Sequence, residues 1–199
     1  MNKTAAAPHP GSAARQRFST RDLVSGGMFA ALMAVISQLS IPMPSGQPIT
    51  IQVFGAALIG VVLGWRLGFF SMVIYLLVGS VGLPVFANFG AGLSRLAGIT
   101  GGYLWTFPVL ALLAGIRPGT GKKKLDMALV ILSALAGLII VETVGGIQWS
   151  LLSGGAMPLS AVFTYAIVAF IPKDAILTVL AVLIGVPMRN MLSRRMNGQ

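Results

Sequence analysis

Six apolar stretches, separated by short polar or glycine- and proline-rich segments, dominate the hydrophobic pattern of this chain. They cover residues 22–41, 49–64, 67–87, 101–117, 125–148 and 159–188. A helix of about 20 apolar residues spans a bilayer, so each stretch predicts one transmembrane helix. The second stretch is short and the sixth is long. Pro172 predicts a break or bend in the sixth, because proline lacks the N–H group that a helix needs.

The composition supports a membrane protein. Hydrophobic residues make up 56% of the 199 residues, and charged residues make up 9%. Soluble domains average about 25% charged residues, so this chain lacks the residues for a water-facing surface. We therefore predict an all-α integral membrane fold of six transmembrane helices, in one membrane domain over residues 21–189.

Positive charge is distributed unevenly around the apolar stretches. If the N-terminus is cytoplasmic, the outer side receives Arg95 alone, and Lys173 lies within a span. The cytoplasmic side then receives twelve basic residues: Lys3, Arg15, Arg17, Arg21, Arg66, Arg117, Lys122, Lys123, Lys124, Arg189, Arg194 and Arg195. Because cytoplasmic loops carry the excess of lysine and arginine, both termini are predicted to be cytoplasmic. Residues 1–20 are expected to be a disordered tail, and residues 190–199 a basic tail.

The same placement of charge argues against nucleic acid as a partner. The net charge of +10 comes from residues at the ends of apolar stretches, and these residues are not interleaved with aromatic ones. The chain has no cysteine, and its single histidine, His9, lies in the N-terminal tail. These absences predict no metal site and no thiolate chemistry.

Catalytic and nucleotide-binding patterns are also missing. Residues 115–123 depart from the phosphate-binding loop pattern at both ends, so no ATP site is predicted. Intramembrane aspartyl chemistry needs two carboxylates in close approach. Asp174 and Glu142 are candidates, but neither lies in a recognisable protease context. We predict that the protein is not an enzyme and uses no cofactor.

Asp174 is the most informative residue for function. It lies within the sixth apolar stretch and is one of four acidic residues in the chain. A charge at bilayer depth costs roughly 2.5–3.5 kcal/mol on insertion scales, and such residues face a cavity, a ligand or an opposite charge. The sequence therefore predicts a site for a small polar ligand around Asp174.

The glycine-rich segment from Gly82 to Tyr103 is a second candidate region. Non-helical backbone at membrane depth is tolerated only where it is buried or lines a cavity. Its free backbone groups, together with Asn88, Arg95 and Tyr103, suit a compact polar ligand. Arg95 either meets an anionic group arriving from outside or is a tolerated exception on an ordinary loop, and both readings stay open.

Small residues at four-residue spacing occur in the first stretch, and Ala30 and Ala34 are the best example. Small residues let helix backbones approach closely in lipid. The pattern predicts either packing within the protein or a face that docks a partner membrane protein.

Four separated motifs occur in order: Pro48–Gln52, Gly82–Phe86, Gly98–Tyr103 and Ile171–Asp174. Over about residues 20–188 the chain resembles the BioY family, the biotin-specific substrate-binding (S) components of energy-coupling factor (ECF) transporters. The resemblance implies a six-helix S-component fold in a bacterial plasma membrane, with high-affinity capture of biotin from outside. It also implies association with a transmembrane T component and two ATP-binding subunits, with contact to the T component at Ala30 and Ala34.

One position departs from the family pattern. The family aspartate is usually followed three residues later by a lysine, and here that position is Leu177. A lysine instead precedes the aspartate, as Lys173. Neighbouring helical residues point about 100° apart, so Lys173 need not replace the missing group.

The chemistry of biotin assigns roles to the candidates. Asp174 is expected to accept a ureido N–H, and Gln52 and Asn88 offer both donors and acceptors. Aromatic walls are expected from Tyr103, Phe86, Phe89 and Trp105. The carboxylate of the ligand is assigned to Arg95 or Lys173, without a choice between them.

A second reading is a self-sufficient secondary transporter of a small carboxylate, with Asp174 as its proton-coupling residue. Such transporters often contain internal repeats with paired broken helices. Residues 22–87 and 101–188 show no convincing match, which counts against this reading. A third reading is a structural membrane subunit that binds no ligand.

Overall fold

The computed structural model describes residues 19–43, 47–155 and 158–196. Within these ranges the elements are α1 (Thr20–Ser37), β1 (Ser40–Ile41), β2 (Ile49–Thr50), α2 (Gln52–Leu63), α3 (Trp65–Ser80), a 3-10 turn (Ala87–Phe89), α4 (Leu93–Ala97), α5 (Gly101–Ala114), α6 (Lys123–Leu152), α7 (Leu159–Tyr165), a π-helical segment (Ala166–Phe170) and α8 (Ile171–Met196). Most of the predicted N-terminal tail, including His9, and the end of the predicted C-terminal tail lie outside the described residues.

Each of the six apolar stretches contains a helix, although the bounds differ from those predicted. Two helical segments, Lys123–Leu152 and Leu159–Leu192, are long and apolar enough to cross a membrane. Three shorter apolar helices are α2, α3 and α5. Large apolar side chains on the outer faces of the helices are exposed, among them Val35, Ile139 and Val168. This apolar exterior is what a lipid-embedded protein needs.

The all-α prediction missed a small antiparallel sheet. Ser40 pairs with Thr50, and Ile41 pairs with Ile49. The first helix therefore ends at Ser37, where the chain leaves the helix to form the hairpin. This hairpin brings Thr50 and the start of α2 to the same end of the molecule as the start of α8, as the hydrogen bond from Lys173 Nζ to the Thr50 carbonyl shows.

The sixth apolar stretch is continuous and is not broken at Pro172. A five-residue π-helical segment, Ala166–Phe170, joins α7 to α8. Pro172 lies in the first turn of α8, directly after this segment. A wider turn accommodates a residue that has no N–H and whose ring would clash with the preceding turn. The chain therefore stays helical through Pro172, with π-helical geometry in the segment directly before α8.

Small residues close the end of the molecule where α2 joins α3. A Cβ atom on Gly68 would lie 2.7 Å from the Cα atom of Gly60, and one on Gly60 would collide with the backbone of Ala111. Gly64, between α2 and α3, has a φ of +86°, which favours glycine. The Trp65 amide donates to the Gly115 carbonyl at 3.1 Å. The small residues at this spacing therefore serve internal packing.

Basic residues lie at this closed end. Arg66 is in the first turn of α3, and Arg117 Nη2 donates to the Leu63 carbonyl at 3.3 Å. Arg189, in the C-terminal half of α8, lies near Arg117. The hairpin and the starts of α2 and α8 are at the opposite end. The molecule thus has a basic end, where α2 joins α3, and an opposite end formed by the hairpin and the starts of α2 and α8.

Helix α1 presents a different surface from the one predicted. Ala30 is 5% exposed and belongs to the protein's own core, and Ala34 is half-buried against that core. Ala31 is exposed, and a Cβ atom on Gly27 would meet nothing within 4 Å. The accessible small residues of α1 are therefore Ala31, which is exposed, and Gly27 and Ala34, which are half-buried. Ala30 is thus largely covered by the protein's own helices, and docking of a partner at Ala30 and Ala34 stays a prediction.

Candidate functional site

A cavity opens at the end of the molecule opposite Arg66, Arg117 and Arg189. It lies among the hairpin, the starts of α2, α5 and α8, the middle of α6 and the loop that carries α4. Its lining residues are Gln47, Pro48, Thr50, Gln52, Val53, Phe86, Ala87, Arg95, Thr100, Tyr103, Leu104, Phe107, Glu142, Phe170, Lys173 and Asp174. Half of these residues are apolar or aromatic, and the other half bring polar or charged groups from several elements into one space. This combination is typical of small-molecule sites.

Asp174 and Lys173 form an ion pair in this cavity. The Lys173 Nζ atom lies 2.5 Å from Asp174 Oδ1 and donates to the Thr50 carbonyl at 2.8 Å. Asp174 is 3% exposed. A buried carboxylate without a partner is strongly unfavourable, and here the adjacent ammonium group compensates it. The pair occupies one carboxylate oxygen and leaves Asp174 able to accept from a ligand through the other.

Three other lining residues carry buried polar atoms without a partner. Gln47 Oε1, Tyr103 Oη and Glu142 Oε2 have no hydrogen bond to any part of the chain that the structure describes. Most buried polar groups in proteins are paired, so such atoms need an explanation. Their convergence on one cavity indicates that a polar ligand supplies their partners.

Tyr103 is held in place by the residue beneath its ring. It lies in the first turn of α5, and a Cβ atom on Gly145 of α6 would overlap the ring. Because Gly145 has no side chain, α5 and α6 approach closely there. The phenol group is thereby directed into the cavity.

Gln52 and Phe86 line the cavity and are linked through Tyr75. Gln52 Nε2 donates to the Tyr75 hydroxyl at 3.2 Å, and that hydroxyl donates to the Val85 carbonyl at 3.2 Å. The rings of Tyr75 and Phe86 pack edge to face, with centroids 5.5 Å apart. Phe86 is 2% exposed and sits where only glycine, at Gly79, leaves room for it. These contacts fix one wall of the site.

Arg95 lies at the mouth of the cavity. It belongs to the short helix α4, its side chain is exposed, and its guanidinium packs over Gly90. The α4 loop is anchored to the helices: Trp105 Nε1 donates to the Leu96 carbonyl at 3.1 Å, and Gln148 Nε2 donates to the Gly98 carbonyl at 2.7 Å. A positive group is thus held at the entrance by a fixed loop.

The predicted site residues divide into two groups in the structure. The cavity brings together six of them: Asp174, Lys173, Gln52, Phe86, Arg95 and Tyr103. Asn88 and Phe89 are exposed and lie outside the lining, as does Trp105, which is 52% exposed. Asn88 Oδ1 accepts from the Ser40 hydroxyl at 2.7 Å, so it joins the 86–90 segment to the hairpin.

Several lining residues were not predicted. They are Gln47, Thr50, Thr100, Phe107, Phe170 and Glu142. Glu142 carried a usable signal, because it is a second acidic residue within an apolar stretch and the rule applied to Asp174 covers it equally. Thr50 and Thr100 lie within the motifs Pro48–Gln52 and Gly98–Tyr103, whereas Gln47, Phe107 and Phe170 carried no signal, since polar and aromatic residues are common near helix ends.

An apolar-surfaced helical protein with a polar cavity at one end is a membrane protein that holds a small ligand. A family model described as the BioY family matches residues 11–194. The chain belongs to the BioY family.

Relatives and a solved structure agree with this assignment. A probable biotin transporter BioY from Pyrococcus horikoshii is 35% identical over 158 residues, which are 79% of this chain and 90% of the relative. A biotin transporter BioY from Thermotoga maritima is 41% identical over 125 residues, 63% of this chain and 72% of the relative.

The structural neighbour is the crystal structure of the S-component for biotin from an ECF-type ABC transporter. Its TM-score is 0.73 at 28% identity, and the match covers 85% of this chain and 91% of that one. The fold is therefore that of an S component. The relatives are transporters, so the protein belongs to a transport class and is not an enzyme.

Proposed function

We propose that this chain is the high-affinity biotin-binding S component of an ATP-driven ECF vitamin uptake transporter. The observation that carries the proposal is the buried Asp174–Lys173 pair in a cavity where further polar atoms lack protein partners. The relatives named as biotin transporters and the neighbouring S component for biotin support the choice of ligand.

The cavity suits the two ends of biotin. The ureido ring presents N–H donors, which Asp174 accepts at the buried end. The thioether ring packs among Phe86, Phe107 and Phe170, which are apolar and buried or nearly so. The carboxylate tail reaches the cavity mouth, where Arg95 meets it. Lys173 is engaged by Asp174 and Thr50, so it serves the headgroup end and leaves the carboxylate to Arg95.

We further propose a multi-pass orientation in the cell membrane, with six spans and both termini in the cytoplasm. Arg66, Arg117 and Arg189 lie at the closed end of the molecule, and excess basic residues mark the cytoplasmic side. The cavity then faces outward. This orientation supports capture of biotin from outside the cell.

The proposed partners are a transmembrane T component and two ATP-binding subunits. The chain shows no phosphate-binding loop pattern, so the ATP-dependent step belongs to those subunits. The accessible small residues of α1, which are Gly27, Ala31 and Ala34, are the proposed contact with the T component. No cofactor is proposed, because biotin is the transported ligand.

Calorimetric titration of the purified protein tests the proposal. Biotin is expected to bind tightly, desthiobiotin more weakly because it lacks the thioether ring, and thiamine not at all. The proposal fails if biotin does not bind or if thiamine binds as well as biotin.

Uptake by cells that also carry the energising subunits tests the coupling. Uptake that stops when the ATP-binding subunits are inactivated, and survives a proton uncoupler while ATP is maintained, supports the S-component assignment. The reverse pattern favours a proton-coupled secondary transporter.

A further inference from the structure

Glu142 is a buried acidic residue that the proposed function leaves unused. It lies in the middle of α6, is 5% exposed and lines the same cavity as Asp174. Lys173, Asp174 and Glu142 all contribute to the lining of this cavity. Two carboxyl groups and one ammonium group, that of Lys173, therefore meet at the buried end of the site.

One oxygen of Glu142 has no protein partner. Oε2 is buried and accepts no hydrogen bond from the described part of the chain. A carboxyl group kept in a cavity wall without a partner is costly unless a ligand pairs with it.

The hydrogen-bonding groups of this cluster determine what kind of ligand fits. Lys173 compensates the charge of Asp174 through Oδ1. Glu142 Oε2 is a buried oxygen without a protein partner among the described residues, and such an oxygen can accept a hydrogen bond from a ligand. Gln47 Oε1 is a further unpaired acceptor in the same lining. The buried end of the cavity is thus rich in acceptors, and a fitting headgroup must bring N–H donors.

We propose that Glu142 is a specificity-determining residue whose Oε2 accepts a hydrogen bond from a ligand N–H, next to the bond that Asp174 accepts. The site then recognises a ring with two N–H groups on either side of one carbon, as in a cyclic urea. A cyclic guanidinium has the same donor pattern with a positive charge. It binds best when Glu142 is a carboxylate, because opposite charges then meet. The proposal rests on the assignment of biotin as the ligand.

Two substitutions at Glu142 test its role as a hydrogen-bond acceptor separately from its negative charge. Glu142→Gln keeps an oxygen acceptor for the ligand and removes the negative charge. Glu142→Met keeps the approximate size of the side chain and removes both functions. The probes are biotin, which carries a urea, and 2-iminobiotin, which carries a guanidinium at neutral pH.

Calorimetric titration of the full-length protein in detergent gives the decisive comparison. Glu142→Met is expected to weaken biotin binding by about tenfold or more, because one buried ligand N–H loses its acceptor. Glu142→Gln is expected to bind biotin within about threefold of wild type and to lose about tenfold in its affinity for 2-iminobiotin relative to biotin. Asp126→Asn, which removes a half-buried carboxylate from the first turn of the same helix, is the matched control and leaves both affinities unchanged.

The outcomes distinguish this role from the assignment of the ligand. If wild type binds biotin and Glu142→Met binds it equally well, Glu142 has no role in recognition and the assignment of biotin stands. If wild type binds neither probe, both proposals fail. Thermal unfolding and size-exclusion profiles report whether each variant folds. If Glu142→Met does not fold, the 2-iminobiotin to biotin ratio in Glu142→Gln decides, and an unchanged ratio overturns the proposal.

Discussion

The long side chain of Lys173 compensates the buried charge of Asp174 at the start of α8. The 100° between neighbouring helical residues left open whether Lys173 replaces the lysine that the family pattern places at the position of Leu177. In the structure, Lys173 Nζ nevertheless reaches Asp174 Oδ1 and the Thr50 carbonyl. The helical angle describes where a side chain begins, and a four-carbon stem can end elsewhere. Sequence spacing alone therefore could not assign this ion pair.

The importance of Asp174 can be tested by removing its charge. Asp174→Asn is expected to weaken biotin binding roughly 10- to 100-fold, because a charge-assisted hydrogen bond is lost and Lys173 loses its counter-ion. Titration of the purified protein measures the change. Asp126→Asn serves as the control here too, since its carboxylate bonds to Thr120 far from the cavity. Unchanged affinity in Asp174→Asn with a folded protein would contradict the proposed headgroup contact.

Sequence reasoning identified the buried charge but could not assign every neighbour. Asp174 was predictable because a carboxylate in an apolar stretch has few structural explanations. Asn88 and Phe89 were chosen for their chemistry, yet both have positive φ values, 55° and 54°, and both are exposed. The direction of a side chain in an irregular segment depends on such backbone angles, which the hydrophobic pattern does not contain.

At the scale of elements, the end of α1 is tied to the segment that covers the cavity. Gln38 Nε2 donates to the Val85 and Phe86 carbonyls at 3.3 and 3.2 Å, and the Phe89 amide donates to Gln38 Oε1 at 3.0 Å. The Ser37 hydroxyl also donates to the Val85 carbonyl. One amide side chain thus supports a loop whose residues 88 and 89 adopt left-handed backbone angles.

Replacing Gln38 with leucine is expected to loosen the segment of residues 85–89. Gln38→Leu removes three bonds to residues 85–89, so ligand dissociation is expected to speed up several-fold, by about threefold to tenfold. Stopped-flow displacement of bound biotin measures the rate. Leu39→Gln, a change at the exposed neighbouring position, is the control. An unchanged dissociation rate in Gln38→Leu would show that the segment is held by other contacts.

Close backbone contact between α2 and α5 predicts a sharp difference between two glycines. Gly60→Ala would push α2 away from the Ala111 backbone and is expected to lower the unfolding temperature by several degrees, or about 1–3 kcal/mol of stability. Gly27→Ala on α1 meets open space and is expected to be neutral or slightly stabilising, since alanine favours helix. Thermal unfolding in detergent compares them. Equal effects would contradict the packing described here.

The helices were predictable and the hairpin was not, for a simple reason. An apolar run of about 20 residues is a strong signal for a helix in lipid. Strands β1 and β2 have two residues each, too few to show an alternating pattern. The sequence likewise predicted a break or bend at Pro172 and not the π-helical segment before it. A proline marks where the helix geometry must change, but it does not determine which geometry results.

At the scale of the whole molecule, two chemically different ends are separated by an apolar body. Arg66, Arg117 and Arg189 lie at the end closed by small residues, and the cavity lies at the other. The sequence predicted this polarity because its basic residues follow alternate apolar stretches. The end of the molecule at which each basic residue lies follows from its order among the apolar stretches. The prediction therefore does not depend on the exact bounds of individual helices.

The exposed face of α1 gives a test of partner docking. Ala31→Trp is expected to leave biotin affinity unchanged and to reduce ATP-dependent uptake at least about tenfold, because a bulky ring prevents close helix approach. Ile139→Trp, at a position on α6 that is 66% exposed, is the control for adding a large ring to the outer surface. Uptake of labelled biotin by cells with the complete transporter measures both. Normal uptake with Ala31→Trp would exclude this face.

The Gln38 contacts have a thermodynamic consequence. The Gln38 side chain lies one residue after the last residue of α1 and bonds to residues 85–89, so the positions of that helix and of that segment are coupled. Coupling between two binding events is reciprocal. Under the proposed function, a ligand that orders residues 85–89 changes the affinity of α1 for a neighbouring subunit by some factor, and that subunit changes the affinity for the ligand by the same factor.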